Sequence, residues 1–283
     1  MIRVYLMLFL FSIIKVSSQD LSHGKAITYN VIGSSLFSGI GSAINKKENE
    51  KLGHAFLKGL WQGAIGGTVI YGSKNIIQGY ANTGSPLYAW SSKLVNAAGT
   101  SITENAASNI DFWKRWHLNI GFTRFEYHLN PKKAGRSFYF KVMPYALGRT
   151  IYVATKGDFD INTSLKTGNL VFSTNTSPAN YVAFAYTYTI LYDRTKIDGV
   201  YNNKTNVIAH EIIHVYQVDD FITINSYFNK LYSKNTFVND KLLNWIYPDI
   251  NSWTYIAAYN ITGDGKDDYD SNYFEQEAIL FSE

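Results

Sequence analysis

Thr205-Asn206-Val207-Ile208-Ala209-His210-Glu211-Ile212-Ile213-His214-Val215-Tyr216-Gln217-Val218 is the stretch around which the rest of this chain has to be arranged. Apolar residues fall on nearly every side of a helix drawn through 205–218, so the pattern predicts a buried helix, with Thr205 or Asn206 as its N-cap. At 3.6 residues per turn His210 and His214 stand one turn apart and present their imidazoles to one side, where both can hold one tetrahedral zinc ion. Glu211 lies beside the pair, placed to take a proton from a metal-acidified water rather than to bind the metal. A composition with 6 His produces this five-residue pattern by chance roughly a few times per thousand chains of this length. A buried helix also has little reason to carry two imidazoles and a carboxylate unless something satisfies them. A core hydrogen-bond network without metal is the alternative reading of the same residues.

The chain contains no cysteine, so thiolate zinc sites, cysteine nucleophiles and disulfides are excluded, and any further ligand must be His, Asp or Glu. Residues 1–18 carry Arg3, an apolar run over 4–14 and small residues ahead of Gln19, the pattern of a cleavable export signal rather than of a spanning helix, which needs roughly 20 apolar residues. Removing Arg3 and Lys15 takes the 26 basic residues to 24 against 22 acidic ones. That balance gives no electrostatic case for nucleic acid or for an anionic membrane. With 46% hydrophobic residues over 283 positions, the chain has ample material for a core.

Working backwards from the motif, 116–192 reads as strands. Aromatic and β-branched runs at 118–122, 137–142, 150–153, 169–172 and 181–192 are separated by turn residues at Asn130-Pro131, Lys156-Gly157-Asp158, Thr167-Gly168-Asn169 and Ser177-Pro178, which predicts an antiparallel sheet of about five strands. Earlier still, 19–115 is rich in Gly, Ala and Ser. Gly59, Gly63 and Gly67 fall four apart, which on a helix makes a flat groove where another backbone can approach closely. Close helix packing is the expected use, with membrane contact by residues 31–80 as the alternative. A second helical stretch covers about 89–105. After the motif, helices are expected over about 222–232 and 272–283. Helices, then a sheet, then helices again predict an α+β fold.

The residues around His210 and His214 resemble the zincin metallopeptidases, a family of zinc-dependent hydrolases with the active-site helix packed below a sheet. In the metzincin branch a His or Asp six residues beyond the second His is the third ligand, and Asp220 occupies that position here. Gln217 stands where that branch needs a turning Gly, however, and Met1, Met7 and Met143 leave no methionine after the helix for the Met-turn, so Asp220 is rejected. The gluzincin branch takes a Glu from a later helix, often with Ala three residues beyond. Tyr273-Phe274-Glu275-Gln276-Glu277-Ala278 is similar to that pattern, which implies Glu275 as third ligand with Glu277 as the alternative. Gln217 and the later pair of glutamates also resemble envelope and secreted gluzincin-like proteins with the pattern H-E-x-x-H-x-x-Q. The resemblance covers about 205–283.

Asn272 followed three residues on by Glu275 is also a capping-box pattern, which alone would account for a Glu there. The acidic stretch 263–270 lacks the register of a calcium-binding loop and reads as solvated loop. Some gluzincins aim a later His at the developing oxyanion; no His follows His214, so the resemblance implies a tyrosine, Tyr247, Tyr255 or Tyr259, in its place. The resemblance further implies that the strand at 181–192 lines a cleft where an extended peptide pairs with its edge. The expectation is therefore an exported, secreted or envelope zinc metallopeptidase acting on a peptide or protein substrate. In it, 1–18 is signal, 19–115 a helical region and 116–283 the zincin-like part. Two alternatives stand beside it: a zinc-binding structural or assembly protein of the envelope, and a membrane-inserted protein with a zincin-like domain.

Overall fold

A computed structural model of the chain describes residues 21–129, 137–176, 181–200, 203–262 and 272–283. The signal-like run 1–18, the turns expected at 130–131 and 177–180, and the acidic stretch 263–270 lie outside them.

Three helices open the fold: α1 (His23–Ile44), α2 (Leu52–Thr83) and α3 (Pro86–Ala107). Ser22 caps α1 by accepting the Lys25 N–H. Gly84 ends α2 in the left-handed region, φ +66°, a conformation that costs glycine nothing. The glycine stripe is a seam between helices. A Cβ added at Gly59, Gly63 or Gly67 would lie 2.5 Å from the backbone oxygens of Ser38, Ser34 and Asn30 in turn. The descending order of those partners shows α1 and α2 running antiparallel with their backbones in contact. Gly66 and Gly99 make the corresponding approach between α2 and α3, where a Cβ on Gly66 would lie 2.9 Å from the Gly99 oxygen. No described helix is long and apolar enough to cross a membrane.

The strands fall into two sheets instead of the single antiparallel one expected. The first, β1 (Arg115–Ile120), β2 (Thr123–His128) and β3 (Phe138–Val142), is antiparallel, with Gly121 at φ +54° turning β1 into β2. After α4 (Pro144–Ala154), β4 (Asp158–Phe159) and α5 (Ile161–Thr167) come β5 (Leu170–Thr174), β6 (Ala183–Tyr186) and β7 (Thr189–Asp193). The second sheet has the order β4-β5-β7-β6, with β5 and β7 parallel and β6 antiparallel at the edge.

Three expectations fail here for physical reasons. The run at 150–153 is the end of α4, not a strand. Pro144 starts that helix, and Ala146, Thr150 and Val153 are its buried residues, a spacing of four and three that β-branched side chains had disguised. The run at 181–192 is a hairpin, because Thr187 takes φ +58° between β6 and β7, a conformation that a β-branched residue rarely adopts and does not advertise. The helix expected at 222–232 is two single turns, Thr223–Ser226 and Asn229–Tyr232.

The chain then continues through α6 (Arg194–Val200), α7 (Lys204–Asp220), α8 (Ile250–Thr262) and α9 (Tyr273–Ser282). The architecture is α+β. One core joins the helical N-terminal region to the rest, with Ile77, Tyr80 and Ala81 of α2 packed with Ile208, Ile212 and Ile213 of α7, Ile190 of β7 and Phe274, Ala278 and Phe281 of α9. Each of the three isoleucines of α7 is at most 1% exposed, so each contributes about 1.5–3 kcal/mol of burial. Helix α7 therefore sits at the centre, touched by α2, α9, α8 and the edge strand β6.

Candidate metal centre

Helix α7 starts one residue before the expected range. Asn203 is its N-cap, with its side-chain oxygen accepting the Thr205 N–H at 3.1 Å, while the Thr205 hydroxyl lies 2.7 Å from the Ala81 oxygen of α2. From this start, His210 and His214 fall on the side of α7 that meets α9, and Glu211 stands beside them toward β6. Asn272 caps α9 by accepting the Phe274 N–H at 3.0 Å. The reciprocal half of a capping box is replaced by a different contact: the Glu275 carboxylate turns toward α7.

Its Oε2 lies 3.1 Å from His210 Nε2 and 3.3 Å from His214 Nε2, and the two Nε2 atoms are 3.1 Å apart. Among the described residues these three form the cluster with metal-ligating geometry. Three donors held tetrahedrally at about 2.0–2.1 Å from a zinc ion are themselves about 3.3 Å apart, which is the size of this triangle. Each imidazole nitrogen offers one lone pair or one hydrogen. A proton on any one of them serves one neighbour, whereas a cation at the centre serves all three. The donor set, two imidazoles and a carboxylate, suits zinc.

The electrostatics follow from burial and proximity. Burial opposes a charge on His214, but its hydrogen bond with Glu275 and the charges of Glu275 and Glu211 outweigh it and push the imidazole up to about 9. Burial alone would raise Glu275; the hydrogen bonds from His210 and His214 instead hold it far below the usual carboxylate range. Glu211, 6% exposed, is raised above its ordinary value by burial, against the charges of the two histidines. The Ala185 N–H of β6 donates to its carboxylate, which ties it to the edge strand.

Glu277 faces elsewhere. Two positions along α9 is a rotation of roughly 200°, and its carboxylate meets Lys74 at 2.9 Å, Gln217 at 3.0 Å and Asn30 at 2.6 Å. Asp220 also turns to Lys74, at 2.7 Å. Of the three tyrosines, Tyr247 is committed far along the core, donating to Glu104 and accepting from Asn225. The Tyr255 hydroxyl lies 3.4 Å from His214 Nδ1, behind the ring with respect to Nε2. Tyr259 donates to Glu275 Oε1 at 2.5 Å. Burial and then the charge of Glu275 push its phenol well above the ordinary value, so at neutral pH it is a donor.

Helix α8, which carries both Tyr255 and Tyr259, was not expected from the sequence. Its buried residues include Asn251, Ser252 and Thr254, so no apolar stripe marks it. The two residues around the site that motif reasoning did not assign are Gln217 and Lys74. Gln217 stands three positions from His214 and hence on its face of the helix, which is the signal that would have found it. No protein-family model, curated protein or solved structure matches this chain.

Proposed function

We propose that this chain is a zinc metallopeptidase of gluzincin-like type, exported to the envelope or secreted, in which His210, His214 and Glu275 hold the metal. The observation that carries the reading is the convergence of three ligand atoms, 3.1–3.3 Å apart, from two helices, with Glu275 61 residues beyond His214 in sequence. Zinc in such a site supplies a Lewis acid for a carbonyl and brings the pKa of a water down to about 7.

The chain's own residues supply the rest. Glu211 stands next to His210 with its carboxylate fixed by the Ala185 N–H, in position to accept a proton from the attacking water and return it to the leaving amine. Tyr259 is the donor for the oxyanion, because its hydroxyl is the one at the ligand end of the site; its single O–H rests on Glu275 Oε1 and turns from that carboxylate to the substrate. Strand β6 is a sheet edge in contact with α7, so an extended peptide laid along it runs past Glu211. Peptide or protein is the substrate class this favours.

The test is Glu211→Gln. A peptidase variant keeps one zinc per chain and loses hydrolysis of an unstructured protein substrate. Purified protein without stoichiometric zinc, or zinc content unchanged after replacing both His210 and His214, overturns the reading. Zinc that stays bound in wild-type protein with no hydrolysis, and a cellular phenotype indifferent to Glu211→Gln, favours a structural zinc protein instead.

A further inference from the structure

We propose that Gln217, Glu277 and Lys74 form a relay that fixes the tautomer and ring orientation of His214, so that α2 takes part in setting metal affinity; this rests on the zinc reading above. His214 Nδ1 lies 2.8 Å from Gln217 Oε1. The orientation of that amide is chemically determined, because its nitrogen lies 2.8 Å from the Phe274 carbonyl oxygen and 3.0 Å from Glu277 Oε2, both of which only accept. The amide oxygen therefore faces the imidazole. Nδ1 must carry the hydrogen, and the lone pair of the neutral ring is at Nε2, the atom that points at His210 and Glu275.

Glu277 is in turn held in place on every side. Its Oε2 receives Gln217 and Lys74, and its Oε1 receives Asn30 at 2.6 Å and the Tyr273 hydroxyl at 3.2 Å. The Lys74 ammonium has three N–H bonds and three partners: Glu277, Asp220 and Asn30 Oδ1 at 3.0 Å. Lys74, Glu277 and Gln217 are completely buried, so none of these contacts is loosened by water. A carboxylate could hold His214 at position 217 equally well, but it would stand against buried Glu277; an amide accepts from the imidazole and donates to the carboxylate at once. The two glutamates of α9 thus divide the work, Glu275 facing the ligand point and Glu277 anchoring Gln217 to the glycine-seamed helix. Gln217, Glu277 and Lys74 are positioning residues, since none reaches the ligand point.

The experiment uses the full chain and two readouts: zinc affinity by competition with a chromophoric chelator, and the downfield imidazole Nδ1–H resonance of His214 in 15N-labelled metal-free protein. Gln217→Leu is expected to weaken zinc binding about 10- to 100-fold, the usual consequence of removing a ligand's outer hydrogen-bond partner, and to shift or abolish that resonance. Gln217→Met, which keeps the length of the side chain without its acceptor, is expected to lose both readouts as Gln217→Leu does, which simple loss of packing at 217 would not produce. Lys74→Met should weaken zinc in the same direction. Zinc affinity and resonance both unchanged in Gln217→Leu overturn the relay, as does recovery of both readouts in Gln217→Met. If wild-type protein takes up no zinc the metallopeptidase reading falls by itself, and the resonance still decides whether Gln217 holds His214.

Discussion

The glycine seam makes a prediction in which one substitution has opposite signs at two places on the same helix. Gly63 and Gly72 both lie inside α2. Gly→Ala in a helix interior gains about 0.8–1 kcal/mol from propensity, and at Gly72 nothing lies within 4 Å of the added methyl group. Gly72→Ala should therefore stabilise by about that amount. At Gly63 the same methyl group would lie 2.5 Å from the Ser34 oxygen, 2.6 Å from Ser38 Cβ and 2.7 Å from Ser38 Oγ. Real Cβ atoms stay beyond 3.0 Å, so α1 must retreat by at least half an ångström: the Ser34 oxygen and Ser38 Cβ are fixed to its backbone, and only Ser38 Oγ has a rotamer to yield. Overpacking of this kind costs about 1–3 kcal/mol, and two immovable clashes put it in the upper part of that range. Subtracting the propensity gain leaves Gly63→Ala less stable by about 1–2 kcal/mol. For a chain of this size that is a fall in Tm of roughly 2–4 °C, against a rise of roughly 2 °C for Gly72→Ala. Denaturant titration of the two variants beside wild type measures the difference. If Gly63→Ala stabilises as Gly72→Ala does, α1 and α2 are not in backbone contact, and the glycine spacing needs another explanation.

Removing single hydroxyl groups separates the tyrosines. Tyr259→Phe should leave zinc stoichiometry intact and lower kcat by about 10²–10³, whereas Tyr247→Phe, which deprives buried Glu104 and Asn225 of a partner, should cost about 1–3 kcal/mol of stability without changing turnover of the folded fraction; an unchanged kcat in Tyr259→Phe removes it from the mechanism. His117, buried against α3, is lowered to about 4 by burial and by the neighbouring Arg124 charge, against the pull of Glu104. It stays neutral in the folded chain while an unfolded chain protonates near 6.5. Its contribution to stability is therefore complete above about pH 6.5 and is lost toward pH 4, at up to about 1.4 kcal/mol per pH unit. NMR titration of the ring is the check, and a midpoint near 6.5 contradicts the burial described here.

What the sequence disclosed and what it concealed divide along a physical line. Patterns that repeat with the period of an element were legible. The glycines at intervals of four announced a seam, the all-round apolar character of 207–216 announced a buried helix, and the i, i+4 histidines announced two imidazoles side by side on one face of it. Features that depend on a conformation the residue does not favour, or on polar atoms meeting across the fold, were not. Thr187 turns a hairpin at positive φ with no glycine to signal it, so two strands read as one. Helix α8 buries asparagine, serine and threonine, so no hydrophobic stripe distinguished it. The choice between Glu275 and Glu277 shows the boundary most clearly. Both are buried, on one helix, two residues apart, and composition cannot rank them. What separates them is Lys74, 203 residues from Glu277 along the chain. A buried ammonium demands carboxylate partners, and once it has taken Glu277, that side chain is bound to the face of α9 away from the histidines. Lys74 stands between Ser73 and Asn75 in a helix rich in glycines and apolar residues, where these polar side chains read as a break in the pattern. A buried lysine with its three N–H bonds on Asn30, Asp220 and Glu277 explains both the break in α2 and the division of the two glutamates.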